Sequence, residues 1–386
     1  MTADANGSIP AIVIGLNTDR RSALQDEASL KELSLLARTA GFSPLMQQLF
    51  RRERIDPASY LGSGKARDIR RITRENDLEA VILDFELSPV QIRNLKDIIK
   101  RRIIPRTELI LEIFAQRAHT KEAKLQVELA TLIYSLPRLR HMWPHLGRIA
   151  GGIGAKGPGE KQIEMDKRRI RKRIAKIRTE LVSVSKHRMT MRKNRQFKFK
   201  AALVGYTNAG KSSVLNVLSH SSLFTENKLF ATLDPATRAV WLGENTTILV
   251  TDTVGFIKNL PPTLIDSFRS TLEEVKEADL LLHAVDISNS DALERIQAVN
   301  SVLKEIGASS MPVLYVFNKV DLLQRRDTKA LLLGRHKSHV IVSAKTKEGI
   351  DTMKQVLLRH YKEKRTILSP GTCASVLLQP NEMSTV

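Results

Sequence analysis

Residues 205–212 hold the strongest candidate for chemistry, a glycine-rich loop that ends in lysine and serine. The letters GYTNAGKS fit the pattern G-x-x-x-x-G-K-[ST], and they stand between an apolar strand and a helical stretch. In such a loop the glycines let backbone N–H groups wrap phosphate oxygens, while the lysine neutralises the β and γ oxygens and the serine ligates Mg²⁺. The predicted phosphate-binding residues are Gly205, Tyr206, Thr207, Asn208, Ala209, Gly210, Lys211 and Ser212.

A second segment, DTVG at 252–255, closes another apolar strand. We expect the Asp252 carboxylate to hold Mg²⁺ through water and the Gly255 N–H to sense a γ-phosphate. The residues of this segment that are predicted to contact the nucleotide are Asp252, Thr253, Val254 and Gly255.

Two later segments, NKVD at 318–321 and SAK at 343–345, predict recognition of guanine. The Asp321 carboxylate can accept from the N1–H and the exocyclic amine, and the Ala344 N–H can donate to O6, which together reject adenine. All four segments occur in order, each at the carboxyl end of a strand, so we predict a nucleotide domain with GTP as substrate. The residues expected to form the base site are Asn318, Lys319, Val320, Asp321, Ser343, Ala344 and Lys345.

The segment LFATLDPATR at 229–238 lies where a nucleotide-sensing switch is expected. Such a switch needs a threonine whose hydroxyl completes the Mg²⁺ shell only when GTP is bound. Thr232 and Thr237 both qualify, and their spacing does not choose between them. After DTVG stands Phe256, where many GTPases carry a glutamine that orients the attacking water. We therefore expect slow intrinsic turnover and a partner or bound ion that completes the site, although a plain packing role for Phe256 fits equally.

The elements around these segments predict two α/β regions. Short apolar runs at 11–17 and 79–86 are typical of buried strands, and 26–40 and 88–100 have helical spacing. From residue 199 onwards, apolar strands alternate with helices, which predicts a doubly wound, mostly parallel sheet. The loop YLGSGKARDI at 60–69 also joins glycines to a lysine before a helix, and it fits either an anion-binding helix N-terminus or a plain turn.

The middle of the chain predicts a long, coiled-coil-like helical hairpin. Leu125, Leu129 and Leu132 begin one stripe at steps of three and four, and Ile170, Ile174 and Ile177 begin a second. The glycine-rich stretch 147–160 separates the two stripes and would form the tip. The run 166–178 holds a single acidic residue and is otherwise dominated by lysine and arginine, which favours contact with phosphates over a merely solvated face.

Composition limits the class of protein and its partners. The 386 residues carry 62 Lys and Arg against 41 Asp and Glu, a net charge of +21 that favours nucleic acid or an acidic membrane surface. The lone cysteine, Cys373, fits a reducing compartment, and we see neither a secretory signal nor an apolar run long enough to span a bilayer. We expect a cytoplasmic monomer without a membrane span, with weak peripheral membrane association as the alternative use of the charge.

At the level of whole motifs, the sequence resembles the HflX family of translation-associated GTPases. The resemblance is carried by YLGSGKA, ELSPVQIRNL, RTELILEIFAQRAHTKEAKLQVELATL and GGIGAKGPGEKQIE, and then by GYTNAGKS, LFATLDPATR and DTVGFIKNLP. It implies an N-terminal α/β domain at 1–106, a basic hairpin at 107–197, a Ras-like P-loop domain at 198–364 and a short tail at 365–386.

The resemblance also implies a function. It implies a GTPase that binds the large ribosomal subunit through rRNA and splits stalled or idle ribosomes, and it links the N-terminal domain to ATP at the Gly62–Lys65 loop. It favours Thr232 as the switch threonine, so that Lys211, Thr232 and Gly255 would serve catalysis and Ser212 and Thr232 would bind the metal. The implied nucleotide-binding switch residues are Phe230, Ala231, Thr232, Leu233 and Asp234.

The sequence departs from the family pattern after the glycine-rich loop and at its C-terminal end. Lys161 and Met165 stand where threonines are usual, which puts fine contacts there in doubt. Only a short stretch follows residue 360, so we expect any function of a further C-terminal domain to be missing or reduced. Two other functions stay open, a ribosome-assembly GTPase and an RNA-binding scaffold with a structural nucleotide.

Overall fold

The structure is a computed structural model that describes residues 8–17, 23–51, 54–139, 158–193, 199–219, 229–258, 264, 269–323, 334, 336 and 338–368. In the N-terminal region, strands β1 to β4 span Ile9–Asn17, Phe42–Arg51, Ala80–Leu83 and Arg102–Pro105. Helices α1 to α4 span Ala23–Thr39, Ser63–Glu75, Pro89–Ile99 and Arg106–Arg117.

The N-terminal sheet is parallel, in the order β2-β1-β3-β4, with helices on both faces. Because side chains alternate along a strand, Ala11 and Val13 pack with α1 and α4, while Ile12 and Ile14 pack with α2 and α3. This is the predicted α/β architecture. The sequence interpretation missed β2, whose FSPLMQQLFR mixes polar and apolar residues because it is an edge strand, and the four-residue β4.

Local capping explains where α3 begins. Ser88 is the N-cap, its hydroxyl accepts from the Gln91 N–H, and the Gln91 side chain accepts from the Ser88 N–H. Pro89 occupies the first turn, where its missing N–H costs nothing.

Helices α5 and α6, Lys121–Ser135 and Pro158–Lys193, pack against each other along the two predicted stripes. Leu125 and Leu129 of α5 bury against Ile174 and Ile177 of α6. Beside them, Arg173 Nε donates to Glu128 Oε1 at 2.6 Å and Arg173 Nη2 donates to Glu128 Oε2 at 2.7 Å. At 36 residues, α6 is about 54 Å long. Residues 158–160 of the predicted tip begin α6, and 147–157 lie outside the described residues.

The C-terminal sheet has the order β10-β9-β8-β5-β7-β6, and its strands are parallel except for β6, which runs antiparallel to β7 at the edge. Strands β5 to β10 span Lys200–Gly205, Ala236–Gly243, Thr246–Asp252, Leu280–Asp286, Val313–Asn318 and His339–Ile341. Helices α7 to α10 span Lys211–Ser219, Arg269–Lys276, Ala292–Glu305 and Ile350–Leu368, and Val320–Leu322 form a 3₁₀ turn. Residues 365–368, assigned to the tail from sequence, thus continue α10. None of the described helices combines the length and apolar character that a membrane crossing requires.

We predict that Ile177→Ala lowers the free energy of unfolding by about 2–4 kcal/mol, because Ile177 is fully buried between α5 and α6. The matched control on the same helix is Val182→Ala, whose side chain is 56% exposed and should change the value by less than about 0.5 kcal/mol. Urea unfolding followed by circular dichroism measures both. Equal effects of the two substitutions would show that the hairpin contact does not stabilise the chain.

Candidate nucleotide-binding site

The loop 205–210 leaves β5 and opens α7 in a backbone shape that only glycine allows at two points. Gly205 has φ 149°, and a Cβ there would lie 2.3 Å from the Ala284 carbonyl oxygen. Gly210 has φ 86°, and its Cβ would lie 2.2 Å from the Asn318 Nδ2. Side chains at either position would push the loop away from the strands beside it.

Lys211 is buried at the first turn of α7, with its ammonium held inside the loop. Its Nζ donates to the carbonyls of Gly205 at 3.3 Å and Tyr206 at 3.0 Å. Burial lowers the pKa of Lys211 to about 8, and the nearby Asp252 carboxylate opposes this shift in part. The structure therefore places a cation, held by neutral carbonyls, where the motif predicts contact with phosphate.

Three oxygen-bearing side chains meet beside this lysine. Ser212 Oγ lies 2.7 Å from Thr232 Oγ1 and 2.5 Å from Asp252 Oδ2. Burial raises the pKa of Asp252, whose Oδ1 is buried and has no hydrogen-bond partner among the described residues. Two hydroxyls and a carboxylate with a spare oxygen are hard donors, and they fit Mg²⁺.

The two candidate switch threonines lie in different places. Thr232 joins Ser212 and Asp252, whereas Thr237 Oγ1 pairs with Thr251 Oγ1 at 2.9 Å across the β6–β7 ladder. Thr237 is therefore held in the sheet.

The segment after β7 docks directly on the loop. The Phe256 N–H donates to the Gly205 carbonyl at 3.0 Å, and the Thr207 N–H donates to the Phe256 carbonyl at 2.7 Å. A Cβ on Gly255 would lie 2.9 Å from both the Thr207 Cα and the Lys211 Nζ, so the backbone approaches as closely as glycine permits. The Phe256 ring is buried in the core, so this position carries no polar side chain. Thr253 and Val254 are also buried.

Asn318 joins the two ends of the site. Its Nδ2 donates to the Ala209 carbonyl at 3.0 Å, and its Oδ1 accepts from the Ala344 N–H at 3.0 Å. Around it, the Ser343 hydroxyl donates to Asp321 Oδ1 at 2.7 Å, and Lys319 Nζ lies 2.8 Å from the Asp286 carboxylate.

Asp321 and Lys345 are exposed, and Val320 and Ala344 are partly so. The predicted base-binding residues thus surround one end of the loop, with an accessible carboxylate.

Not all of the predicted switch residues face the phosphate loop. A cavity lies against the phosphate loop, and Phe230, Ala231 and Thr232 line it together with Lys211 and Gly255. Leu233 is instead buried in the core, and Asp234 binds the start of α5. Ser213, which the sequence interpretation left out, also lines the cavity. Its position directly after the motif, in the first turn of α7, was the signal that could have found it.

The sequence interpretation also missed a group of N-terminal residues at the phosphate loop. The Tyr206 hydroxyl donates to Glu32 Oε1 at 2.6 Å and accepts from the Lys258 N–H at 2.8 Å. Arg106, which is buried, forms ion pairs with Glu32 and with Asp84. Burial and the Glu32 carboxylate raise the pKa of Tyr206 far above its ordinary value, so the phenol stays protonated. No local motif marks these partners, because Glu32 and Tyr206 are 174 residues apart.

In the segment 60–69, residues 60–62 lead into α2 and residues 63–69 form its first turns. Tyr60 stacks on Phe85 with ring centroids 4.4 Å apart, and the Lys65 ammonium lies 4.9 Å from the Phe50 ring centroid. Gly62, with φ 85°, precedes the helix without a side-chain cap. Binding of ATP at this loop stays a prediction.

Family models match three consecutive parts of the chain. The model described as "GTP-binding GTPase N-terminal" matches residues 27–115, and "GTP-binding GTPase Middle Region" matches 117–195. The model described as "50S ribosome-binding GTPase" matches residues 200–319, which include the phosphate loop, the segment 229–238 and DTVG at 252–255.

Individual proteins are similar over nearly the same span. A GTPase HflX from Flavobacterium psychrophilum is 46% identical, covering 85% of this chain and 80% of its own length. The GTPase HflX of Escherichia coli is 41% identical, covering 86% and 79%.

A solved structure has a similar fold, that of a GTP-binding protein from Sulfolobus solfataricus in complex with GDP. It is 24% identical, covers 92% of this chain and 99% of its own, and has a TM-score of 0.50. From the identity with the curated relatives over most of both chains, the chain belongs to the HflX family of GTPases.

Proposed function

We propose that the chain is a GTP-hydrolysing switch that binds the large ribosomal subunit through rRNA and splits or recycles stalled or idle ribosomes. The observation that carries the proposal is the meeting of Ser212, Thr232 and Asp252 beside Lys211, with a guanine-type site at the other end of the same loop. Similarity to the model described as a 50S ribosome-binding GTPase supports the choice of partner. We propose a monomer that acts in the cytoplasm.

Each part of GTP would have its own partners in this site. The exposed Asp321 carboxylate would accept from the guanine N1–H and amine. The Ala344 N–H, which donates to Asn318 Oδ1 in the structure, would turn to O6 when guanine is bound. Lys211 would neutralise part of the phosphate charge and the backbone N–H groups of the loop would donate to the phosphate oxygens, as negative charge shifts to the leaving β-phosphate when the terminal bond breaks. Mg²⁺, held by Ser212 and Thr232 with Asp252 behind them, would supply charge neutralisation at the phosphates. The Gly255 N–H would contact the γ-phosphate, and the close approach of Gly255 to the Lys211 ammonium supports this role.

Slow intrinsic hydrolysis is part of the proposal. The Phe256 side chain is 3% exposed and apolar, so it cannot orient an attacking water. Completion of the site by the bound ribosome would tie hydrolysis to the presence of the partner. GTP would then favour the bound form, and hydrolysis would release it.

Helix α6 is the surface that we propose contacts rRNA. Its exposed basic side chains are Arg168, Arg169, Arg171, Lys172, Lys176 and Arg178. Neutralisation of RNA phosphates by such residues releases counterions, so binding should weaken steeply with salt. Co-sedimentation with ribosomes and with acidic liposomes at two salt concentrations distinguishes this partner from a membrane surface.

We predict that purified large subunits raise GTP hydrolysis by at least about ten-fold over the intrinsic rate. The triple substitution Arg171→Glu, Lys172→Glu and Lys176→Glu should abolish the increase and leave the intrinsic rate unchanged, because these side chains lie on the exposed face of α6. The charge-preserving control is Arg171→Lys, Lys172→Arg and Lys176→Arg. Hydrolysis that large subunits do not stimulate in the unsubstituted chain would remove the basis of the mechanism.

Splitting is tested by light scattering of intact ribosomes mixed with the chain. We expect dissociation into subunits with a non-hydrolysable GTP analogue and much less with GDP, because the switch threonine engages only the triphosphate. Binding to free large subunits without dissociation of intact ribosomes would favour an assembly factor instead. Binding to RNA with no measurable hydrolysis of GTP would favour an RNA-binding scaffold that holds a structural nucleotide.

Affinity for the nucleotide should depend on pH through Lys211. Its pKa is lowered to about 8, and phosphates bind the ammonium form, so affinity falls as pH rises through that value. Between pH 7 and 8.5 the dissociation constant of GDP should rise roughly four-fold, from the fall in the protonated fraction. In Lys211→Arg the guanidinium keeps its charge, so any remaining affinity should be flat over this range. A flat profile for the unsubstituted chain would show that Lys211 does not carry the phosphate contact.

A further inference from the structure

The switch segment Phe230–Asp234 is attached at two points to the junction between α4 and α5. We call this junction, residues 114–123, the α4–α5 corner. It includes the last turn of α4, the linker and the first turn of α5. Thr232, between the two attachment points, is the residue that meets Ser212 and Asp252 on the other side.

The first attachment is the Phe230 ring. It meets Phe114 of α4 edge to face, with ring centroids 4.7 Å apart and planes at 88°, and the side chain is 2% exposed. Phe230 has φ 55°, a left-handed backbone that a bulky residue adopts only when its surroundings hold it there. Packing against α4 therefore sets the backbone two residues before Thr232.

The second attachment is the Asp234 carboxylate at the beginning of α5. Its Oδ2 accepts from the N–H groups of His119 and Thr120, each at 3.3 Å, and its Oδ1 accepts from the Thr120 hydroxyl. Thr120 is the N-cap of α5, and its hydroxyl oxygen accepts from the Ala123 N–H. A negative charge is favourable at this end of a helix, so the contact is electrostatic as well as geometric.

The corner connects in turn to the hairpin. Leu125 and Leu129, five and nine residues after Thr120, bury against Ile174 and Ile177 of α6. Packed side chains therefore connect the start of α5 with the helix that carries the basic surface.

We propose that Phe230 and Asp234 are positioning residues through which the α4–α5 corner holds Thr232 in place for GTP. By linkage, GTP bound at Thr232 orders the start of α5 to the same extent in free energy. The inference rests on the proposed GTP switch, and it assigns to the hairpin a direct connection with switch Thr232 that does not pass through the phosphate loop.

The test compares the affinities of the full chain for GDP and for a non-hydrolysable GTP analogue, both with Mg²⁺. Asp234→Ala should weaken binding of the analogue by about ten-fold and leave GDP unchanged, because Thr232 serves only the triphosphate. Asp234→Asn, which keeps an acceptor oxygen but no charge, should lie between. Arg238→Ala is the matched control, since Arg238 is exposed on β6 just beyond the segment.

Hydrogen exchange gives a readout that damage to the fold would not reproduce. Amides in the first turn of α5 should exchange more slowly with the analogue than with GDP, and Asp234→Ala should abolish this difference. If Asp234→Ala weakened the affinity for both nucleotides equally, or for neither, the inference would be overturned.

Thr232→Ala, measured alongside, separates the two levels of the argument. If Thr232→Ala removes the preference for the analogue and Asp234→Ala does not, the positioning role is wrong and the switch stands. If the unsubstituted chain shows no preference that depends on Thr232, the proposed switch itself is wrong.

Discussion

The parallel register of β5 with the strands beside it is the constraint on which the nucleotide site depends. In that register Leu203 lies opposite Asp252 of β7, and Gly205 lies opposite Ala284 of β8. The chain therefore leaves β7, β5 and, on the far side of β8, β9 at the same edge of the sheet. The Asp252 carboxylate, the phosphate loop and Asn318 meet there. A slip of one residue would turn Asp252 to the other face of the sheet. A slip of β5 would also bring a residue with a Cβ to the position of Gly205, where a Cβ would lie 2.3 Å from the Ala284 carbonyl oxygen.

The N-terminal domain takes part in this site through packing and charge. One core cluster contains Ile110 and Phe114 of α4 together with Phe230 of the switch segment and Phe256, the residue after DTVG. Arg106 is tolerated in this buried region because two carboxylates surround it, and a buried cation without them would be costly. Movement of Phe230 or of Phe256 must therefore repack the boundary with the N-terminal region. Such packed boundaries have few alternative arrangements, which suits a switch with two states.

Much of the candidate site could be predicted because its chemistry is local in sequence. The strands at 200–205, 246–252 and 313–318 are apolar runs, and each ends in residues whose types suit phosphate or base contacts. The N-cap of α3 could also be predicted from the sequence, since Ser88, Pro89 and Gln91 act within one turn. Strand β2 could not be predicted in this way, because an edge strand with one covered face lacks a continuous apolar run.

The sequence by itself determined the phosphate loop, the guanine-type segments, the alternation of strands and helices and the pairing stripes of the hairpin. In each case the physical rule acts over a few residues, through glycine backbone freedom, side-chain periodicity or capping. Only the tertiary structure decided that Thr232 rather than Thr237 meets Ser212, since the β6–β7 ladder holds Thr237 against Thr251. It alone placed Glu32 on Tyr206 and Asp234 on α5, because contacts between residues more than a hundred positions apart follow from packing of whole elements.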